Sequence, residues 1–307
     1  MKKKKMFHIF DCIVILIVSA FVLLDTFVFT RTYAVADSHE SSSETEIQQT
    51  AGTNMLGLEK KSTDPEVTAS SYSDENIQIE IKEYEYEDST IYVADVQISD
   101  LSYLYSVFAN DVYGKNVTAE TSEMAASSNA ILAINGDYYG ARNRGYVIRN
   151  GTLYRETSNN AEVLAIMNDG SFEIVSDSTV SAARLLEAGA LQVYSFGPGL
   201  IENGEIAVDE NDEVGKAKAS NPRTAICEIE PLHYLFVVSD GRTDESEGLS
   251  LYELAEFLQT LGVRTAYNLD GGGSSTMVFM NEVVNNPTTS GRKISERSVS
   301  DAVCIGY

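Results

Sequence analysis

Asp270-Gly271-Gly272-Gly273-Ser274 is the run whose composition most constrains chemistry. Three glycines after an apolar stretch let the backbone approach a ligand closely, and they can turn successive N–H groups inward as a nest for an anion. No helical pattern follows, so the run is not a dinucleotide or P-loop fingerprint. No glycine stands two residues after Ser274 or Ser275, so it is not a nucleophile elbow either. The plainer reading is a tight turn in which Asp270 caps its own backbone.

Asp240-Gly241-Arg242, followed by Glu247, sets two acids and a guanidinium ahead of a helix start. Asp240, Glu247 and Asp270 are the candidates for acid, base or nucleophile. Arg242 has the fork geometry that grips a phosphate with two hydrogen bonds. The alternative is a turn with a surface ion pair. Arg223, in Asn221-Pro222-Arg223-Thr224, and Arg297, in Ser295-Glu296-Arg297-Ser298, are either anion ligands or ordinary strand-end charges. Asn135 and Asp137, in Asn135-Gly136-Asp137-Tyr138-Tyr139, close a buried apolar stretch and complete the polar set.

Composition removes competing chemistries. The chain has 307 residues with 46 acidic against 22 basic side chains, a formal net charge of −24. Residues 1–36 are basic, so the rest carries about −27. A general nucleic-acid binder needs a basic face and is excluded. An anionic substrate would need a local cluster of arginines, amides or a cation. The three histidines are His8, His39 and His233, so a His-rich zinc site is excluded and a Ser-His-Asp triad could only use His233. Cys227 and Cys304 are either one disulfide or two buried small hydrophobes. What remains is Asp, Glu, Asn, Arg, Ser, Tyr and backbone amides.

The elements that must position these residues follow from periodicity. Ile77, Ile79 and Ile81 alternate, and Ile91 to Ile98 continues the pattern after a polar turn. Asn150-Gly151 between Tyr146–Arg149 and Thr152–Tyr154 is a type I′ hairpin signal. Val163–Met167 and Phe172–Val175 read as a second hairpin, and Val180–Ala188 as a short helix. Ser250 and Glu253 form a capping box for a helix whose apolar stripe is Leu251, Leu254, Ala255, Leu258 and Leu261. Strands on either side, Tyr234–Ser239 and Val263–Leu269, make a β-helix-β unit with parallel strands. Asp240, Arg242 and Asp270 would then meet at one sheet edge, and a parallel Ile131–Ile134 strand would bring Asn135 and Asp137 to it. The fold class is therefore α+β: a mixed sheet with antiparallel hairpins, at least one β-helix-β unit, and Gly-rich strand-end loops forming the site.

The N-terminus reads as an address. Four lysines precede an apolar segment from Met6 to Phe29, about the roughly 20 residues that cross a bilayer. Residues 1–36 are read as a signal-anchor, with a signal peptide cleaved near Ala36 as the alternative. Residues 37–76 are a disordered Ser/Thr/Glu-rich linker. Residues 77–307 are one domain, placed outside the cytoplasm.

In this order the motifs resemble the phosphodiester glycosidase family. The resemblance runs from about Ser127 to Tyr307 and rests on Ala133-Ile134-Asn135-Gly136-Asp137-Tyr138-Tyr139, Asn221-Pro222-Arg223-Thr224-Ala225, Val238-Ser239-Asp240-Gly241-Arg242 with Ser246-Glu247-Gly248, and Asn268 to Ser275. Asp137 departs from the family's pattern, which more often has a second glycine there. The resemblance implies hydrolysis of the bond between a sugar's anomeric carbon and a phosphodiester oxygen, on a carbohydrate phosphodiester or cell-envelope glycopolymer. Carboxylates around an oxocarbenium-like transition state suit that reaction, with no required cofactor. Arg223, Arg242, Arg297 and the Gly271, Gly272, Gly273 and Ser274 turn suit the phosphate, with Asn135 and Asp137 beside them. Two alternatives use the same residues. One is a non-catalytic module that binds anionic cell-wall glycans. The other is a phosphodiesterase in which Asp137, Asp240 and Asp270 gather a divalent cation such as Ca²⁺.

Overall fold

Within Ser89–Ile98, Tyr92, Ala94 and Val96 enter one core while Ile91 and Val93 enter another. The neighbouring strands split the same way. Ile226, Phe236 and Val238 face the first core, and Ala225, Cys227, Leu235 and Val237 face the second. A period of two with apolar residues on both faces marks a sheet covered on both sides.

The computed structural model describes residues 18–19, 30–32, 65–212 and 220–307. Three sheets dominate it. The nine-stranded sheet runs, in spatial order, Glu205–Ile206, Gly199–Glu202, Thr265–Asn268, Arg223–Glu230, His233–Ser239, Ser89–Ile98, Ile77–Tyr86, Ser71–Ser73 and Glu66–Val67. A five-stranded sheet is ordered Glu282–Val283, Met277–Phe279, Ala130–Asn135, Asp301–Gly306 and Leu104–Phe108. A second five-stranded sheet holds Thr152–Arg155, Val147–Arg149, Ala190–Tyr194, Glu162–Met167 and Phe172–Ser176. All three contribute to one central core, through residues such as Ile79, Phe236, Leu132, Val303, Leu164 and Tyr194.

Each sheet carries a helix on its outer face. Leu251–Thr260 covers the large sheet and buries Leu251, Leu254, Ala255 and Leu258. Its start is fixed by the Ser250–Glu253 capping box: Glu253 N donates to Ser250 Oγ at 3.1 Å, and Ser250 N donates to the Glu253 carboxylate at 2.7 Å. Leu254→Ala would cost about 2–5 kcal/mol through transfer and cavity terms. Thr121–Ser127 lies against the second sheet with Met124 and Ala125, and Ala182–Glu187 against the third with Ala182 and Leu185. Both hairpins form, and Asn150 and Gly151 take the positive φ values of 51° and 74° that a type I′ turn needs.

Three expectations are corrected. His233–Ser239 and Thr265–Asn268 are not paired with each other: Arg223–Glu230 lies between them, antiparallel to both. The two flanking strands thus point the same way without forming a parallel ladder, and every pairing among the described strands is antiparallel. Ala130–Asn135 belongs to another sheet altogether. The domain also begins earlier than residue 77, because Glu66–Val67 and Ser71–Ser73 extend the large sheet into the expected linker. The physical reason is Asp74. Its Oδ1 accepts from Asn76 N at 2.7 Å and Ile77 N at 2.8 Å, and its Oδ2 accepts from the hydroxyls of Tyr72 at 2.6 Å and Tyr307 at 2.5 Å. Of the two readings of the cysteines the second holds: Cys227 and Cys304 are free and buried in different cores. The rest of the expected linker and nearly all of the apolar N-terminal segment lie outside the described residues. Among the described residues no helix is long and apolar enough to cross a membrane.

Candidate active site

Ser239 and Asn268 end strands that point the same way on either side of Arg223, and the loops that follow them meet at that edge. Leu269 N donates to Thr224 O at 2.8 Å, and Gly272 N donates to Pro222 O at 2.8 Å, which ties the Gly-rich turn to the start of the central strand. Asn135 arrives from the second sheet as a strut. Its Nδ2 donates to Asp270 O at 2.6 Å, and its Oδ1 accepts from Thr224 Oγ1 at 2.8 Å and Thr276 N at 3.2 Å. Asn135 is fully buried, and these bonds shape the turn from beneath.

Asp270 is the acid at the centre. Ser274 Oγ donates to its Oδ2 at 2.6 Å, and Arg297 Nη2 lies 3.2 Å from the same oxygen. Burial raises the Asp270 pKa, opposed by Arg297, the Ser274 hydroxyl, Arg142 and the Gly271 amide. Its side chain stays 12% exposed and that of Arg297 stays 40% exposed, so solvent reaches the pair.

Arg242 completes a cationic rim. Its Nη1 donates to Thr289 O at 2.7 Å and its Nη2 to Asn221 Oδ1 at 2.9 Å. Burial lowers its pKa, and Arg297 and Arg223 lower it further by like-charge repulsion. Three guanidinium groups therefore crowd one edge of a strongly acidic chain. Arg242 also sits at φ 66°, a left-handed conformation that costs a non-glycine residue about 1–2 kcal/mol. Such strain, held by the Arg242 N bond to Glu247 O at 3.1 Å, marks functional loops. Gly272 answers it with φ 62°, and a Cβ there would come 2.8 Å from Arg242 Nη2. Arg223 is buried, with its Nε donating to Leu249 O at 2.7 Å, and contributes its charge from beneath.

The remaining predicted residues take other roles. The amides of Gly271 and Gly272 are spent on Asp270 and Pro222, so the turn is not an open three-amide nest; Gly273 packs against Thr289. Asp240 is bound by Asn285 Nδ2 at 3.0 Å, Asn286 N at 2.9 Å and Asn286 Nδ2 at 3.0 Å, and so braces that loop. Glu247 is exposed, and among the described residues its carboxylate has no hydrogen bond or ion pair. Asp137 is buried against Arg149 Nη2 at 3.0 Å and accepts from Ser195 N at 2.7 Å, so it too is structural. Asp137, Asp240 and Asp270 are each held by a different partner and do not converge. Among the described residues no group of three or more His, Cys, Asp or Glu side chains has metal-site geometry. His233 bonds Asp95 at 2.8 Å and serves no triad at this edge.

Sequence reasoning missed a buried support. Arg149, 1% exposed, donates through Nε to Asp301 Oδ2 at 2.9 Å while its Nη2 contacts Asp301 at 2.7 Å and Asp137 at 3.0 Å. Burial raises the Asp301 pKa to about 7; Arg149 opposes the rise, and Asp137 and Asp270 add to it. A Cβ on Gly136 would fall 2.4 Å from Asp301 Oδ1, so only glycine lets these loops close together. An arginine ending the buried Val147–Arg149 strand was the available signal.

Comparison with known proteins agrees with the motifs. The phosphodiester glycosidase family matches residues 128–306. Human N-acetylglucosamine-1-phosphodiester alpha-N-acetylglucosaminidase is 31% identical over 161 residues, which is 45% of this chain and 31% of the human protein. The SPbeta prophage-derived uncharacterized protein YomE of Bacillus subtilis is 27% identical over 192 residues, 60% of this chain and 29% of that protein. The chain thus spans well under half the length of these curated relatives. Among solved structures, the zebrafish N-acetylglucosamine-1-phosphodiester alpha-N-acetylglucosaminidase catalytic domain, described as auto-inhibited by its pro-peptide, aligns with a TM-score of 0.60 at 21% identity, covering 75% of this chain and 83% of that one. A hypothetical protein from Synechocystis aligns at 0.58 with 16% identity, covering 75% of this chain and 62% of that one. At such identities the structures speak to fold alone. With the family matched over more than half of its length, the chain belongs to the phosphodiester glycosidase family.

Proposed function

We propose that the protein is an exported hydrolase that cleaves the glycosidic bond of sugar-1-phosphodiesters, of the N-acetylglucosamine-1-phosphodiester type, in cell-surface glycopolymers. The observation that carries this reading is the crowding of Arg223, Arg242 and Arg297 around the turn that presents Asp270. A phosphodiester is a good leaving group, so catalysis needs anion stabilisation more than proton donation. Arg242 and Arg297 face the phosphate, and Arg223 supports them electrostatically from below. Asp270 stands on the sugar side. It takes a proton from water as the water oxygen bonds to the anomeric carbon; the C1–O bond breaks, and its electron pair leaves with the phosphate oxygen. The products are a reducing sugar and a phosphomonoester. No histidine or redox group is called on. The basic apolar N-terminus supports export, with the domain tethered outside the membrane or released by cleavage near Ala36.

The test is incubation of the full chain with methyl N-acetyl-α-glucosaminyl phosphate, with the reducing sugar and its first-formed anomer read by NMR. Release of N-acetylglucosamine is expected. A folded protein that turns over no member of a panel of sugar-1-phosphodiesters, yet binds anionic glycans, would instead be a binding module.

A further inference from the structure

A second cationic feature lies beside the site. Lys115, Arg142 and Arg155, with Tyr113, Tyr139 and Tyr154, line a cleft of about 380 Å³, within the range of small-molecule pockets. In a chain of net charge −24, no Asp or Glu lines it. A second cleft, by contrast, is lined by Glu162 and Asp212.

The walls are rigid. Tyr113 and Tyr139 stack with ring centroids 5.3 Å apart and planes 16° apart, Tyr154 leans on Tyr113 at 5.0 Å, and Phe108 backs all three at 4.9–5.6 Å. Arg155 fixes the floor by donating Nε to Gly145 O at 2.6 Å and Nη1 to the carbonyls of Tyr139 at 3.0 Å and Arg142 at 2.7 Å. Its Nη2, and the Lys115 ammonium, have no hydrogen-bond or ion-pair partner among the described residues. The Arg142 guanidinium spends one long bond of 3.4 Å on Ser195 O and lies 4.9 Å from the Phe196 ring centre. Flat aromatic walls with unspent cations suit a sugar that carries a phosphate.

The cleft lies one loop away from the active-site turn, because Asp270 N donates to Gly136 O at 3.3 Å in the segment that leads to Tyr139. Tyr139 N donates to Asp137 Oδ1 at 3.1 Å, and the charge of Arg142 reaches Asp270. We propose that this cleft is a subsite for the next phosphate-bearing unit of the substrate, so that the enzyme reads an anionic polymer and not an isolated sugar phosphate. The inference rests on the hydrolase reading above. One unit then occupies the Asp270 edge for cleavage, while the adjoining phosphate sits among Lys115, Arg142 and Arg155.

The experiment uses the full chain and two substrates: methyl N-acetyl-α-glucosaminyl phosphate, and the same compound with a second phosphate on a glycerol aglycone. The expected result is a KM about tenfold lower for the two-phosphate substrate. Lys115→Gln should shrink that ratio severalfold. Added salt should shrink it in the parent protein as well, which needs no variant to fold. Equal KM values for the two substrates, or a ratio indifferent to both Lys115→Gln and salt, overturn the proposal. Calorimetry with glycerol-linked bisphosphate as the probe separates the two readings. Binding weakened by Lys115→Gln in a protein that hydrolyses neither substrate keeps the subsite and sinks only the hydrolase; no binding sinks the subsite.

Discussion

Asp270 and Arg297 share one hydroxyl. Ser274 Oγ donates to Asp270 Oδ2 at 2.6 Å and accepts from Arg297 Nε at 3.0 Å, while Arg297 Nη2 reaches the same carboxylate oxygen at 3.2 Å. The serine fixes both rotamers, so the carboxylate and the guanidinium are oriented before any substrate arrives. Orientation of this kind is what lets a polar site stabilise charge without reorganising.

Removing the carboxylate of that arrangement, or the neighbouring Arg242 guanidinium, is expected to act on the chemical step. Asp270→Asn should lower kcat by about 10²–10³, and Arg242→Ala should lower it at least about tenfold, the scale seen for lost oxyanion donors. Steady-state kinetics beside a thermal melt checks this. Both variants folded with kcat within a factor of about two of the parent would move the site elsewhere.

The buried Arg149 network is expected to govern stability. Arg149→Met leaves Asp137 and Asp301 without their cation and should cost about 3–5 kcal/mol in urea unfolding. Asp301 adds a pH signature. Burial, outweighing Arg149, lifts its pKa to about 7 in the folded state, so the fold favours the protonated form. Its contribution is present below the unfolded value near 4 and is lost as pH rises through about 7. Stability should therefore fall more steeply between pH 5 and 8 in the parent than in Asp301→Asn. Parallel slopes would refute the assignment.

Asp74 is expected to behave in the opposite sense. Burial pushes its pKa up, but hydrogen bonds from Tyr307, Tyr72 and two amides outweigh that and hold it at about 2. Its contribution is present above the unfolded value near 4 and is lost as pH falls toward 2. Tyr307→Phe removes one of those bonds and should lower Tm by about 2–4 °C for a loss of about 1 kcal/mol. The deficit should narrow on acidification from pH 6 to 3, as read by differential scanning calorimetry.

Gly272→Ala tests the link between turn and arginine. A side chain at φ 62° costs about 1–2 kcal/mol, and its Cβ displaces Arg242 Nη2 from 2.8 Å. KM should rise about tenfold while the fold persists. Gly204→Ala, at φ 82° with open space around its Cβ, carries the same backbone strain and should spare KM. Equal effects of the two would assign the loss to strain alone.

The legible parts of this protein were those set by local rules. The Asn150-Gly151 hairpin, the Ser250–Glu253 box and the alternating strands depend on neighbours in sequence, and each formed as expected. That Asp270, Arg242 and Arg297 lie near one another was legible from the glycine-rich strand ends that carry two of them. What failed depended on distant partners. No local pattern says that Arg223–Glu230 slips between two strands joined through a helix, or that Asn285 and Asn286 occupy Asp240. Asn135 and Asp137 looked like ligands because polar residues after a buried strand resemble a site.

The strand Asp301–Gly306 lies between Leu104–Phe108 and Ala130–Asn135, and its first residue anchors Arg149. A segment from near residue 300 thus fills the middle of a sheet whose flanks come from near 105 and 130. Loop closure over that separation is slow, and nothing short of it seats Gly136 beside Asp301. Assembly of the candidate edge therefore depends on this strand pairing with both of its flanks. Until this strand has paired, Gly136 and Arg149 lack the acid they share, so the last strand of the sheet is also the clasp between two of its loops.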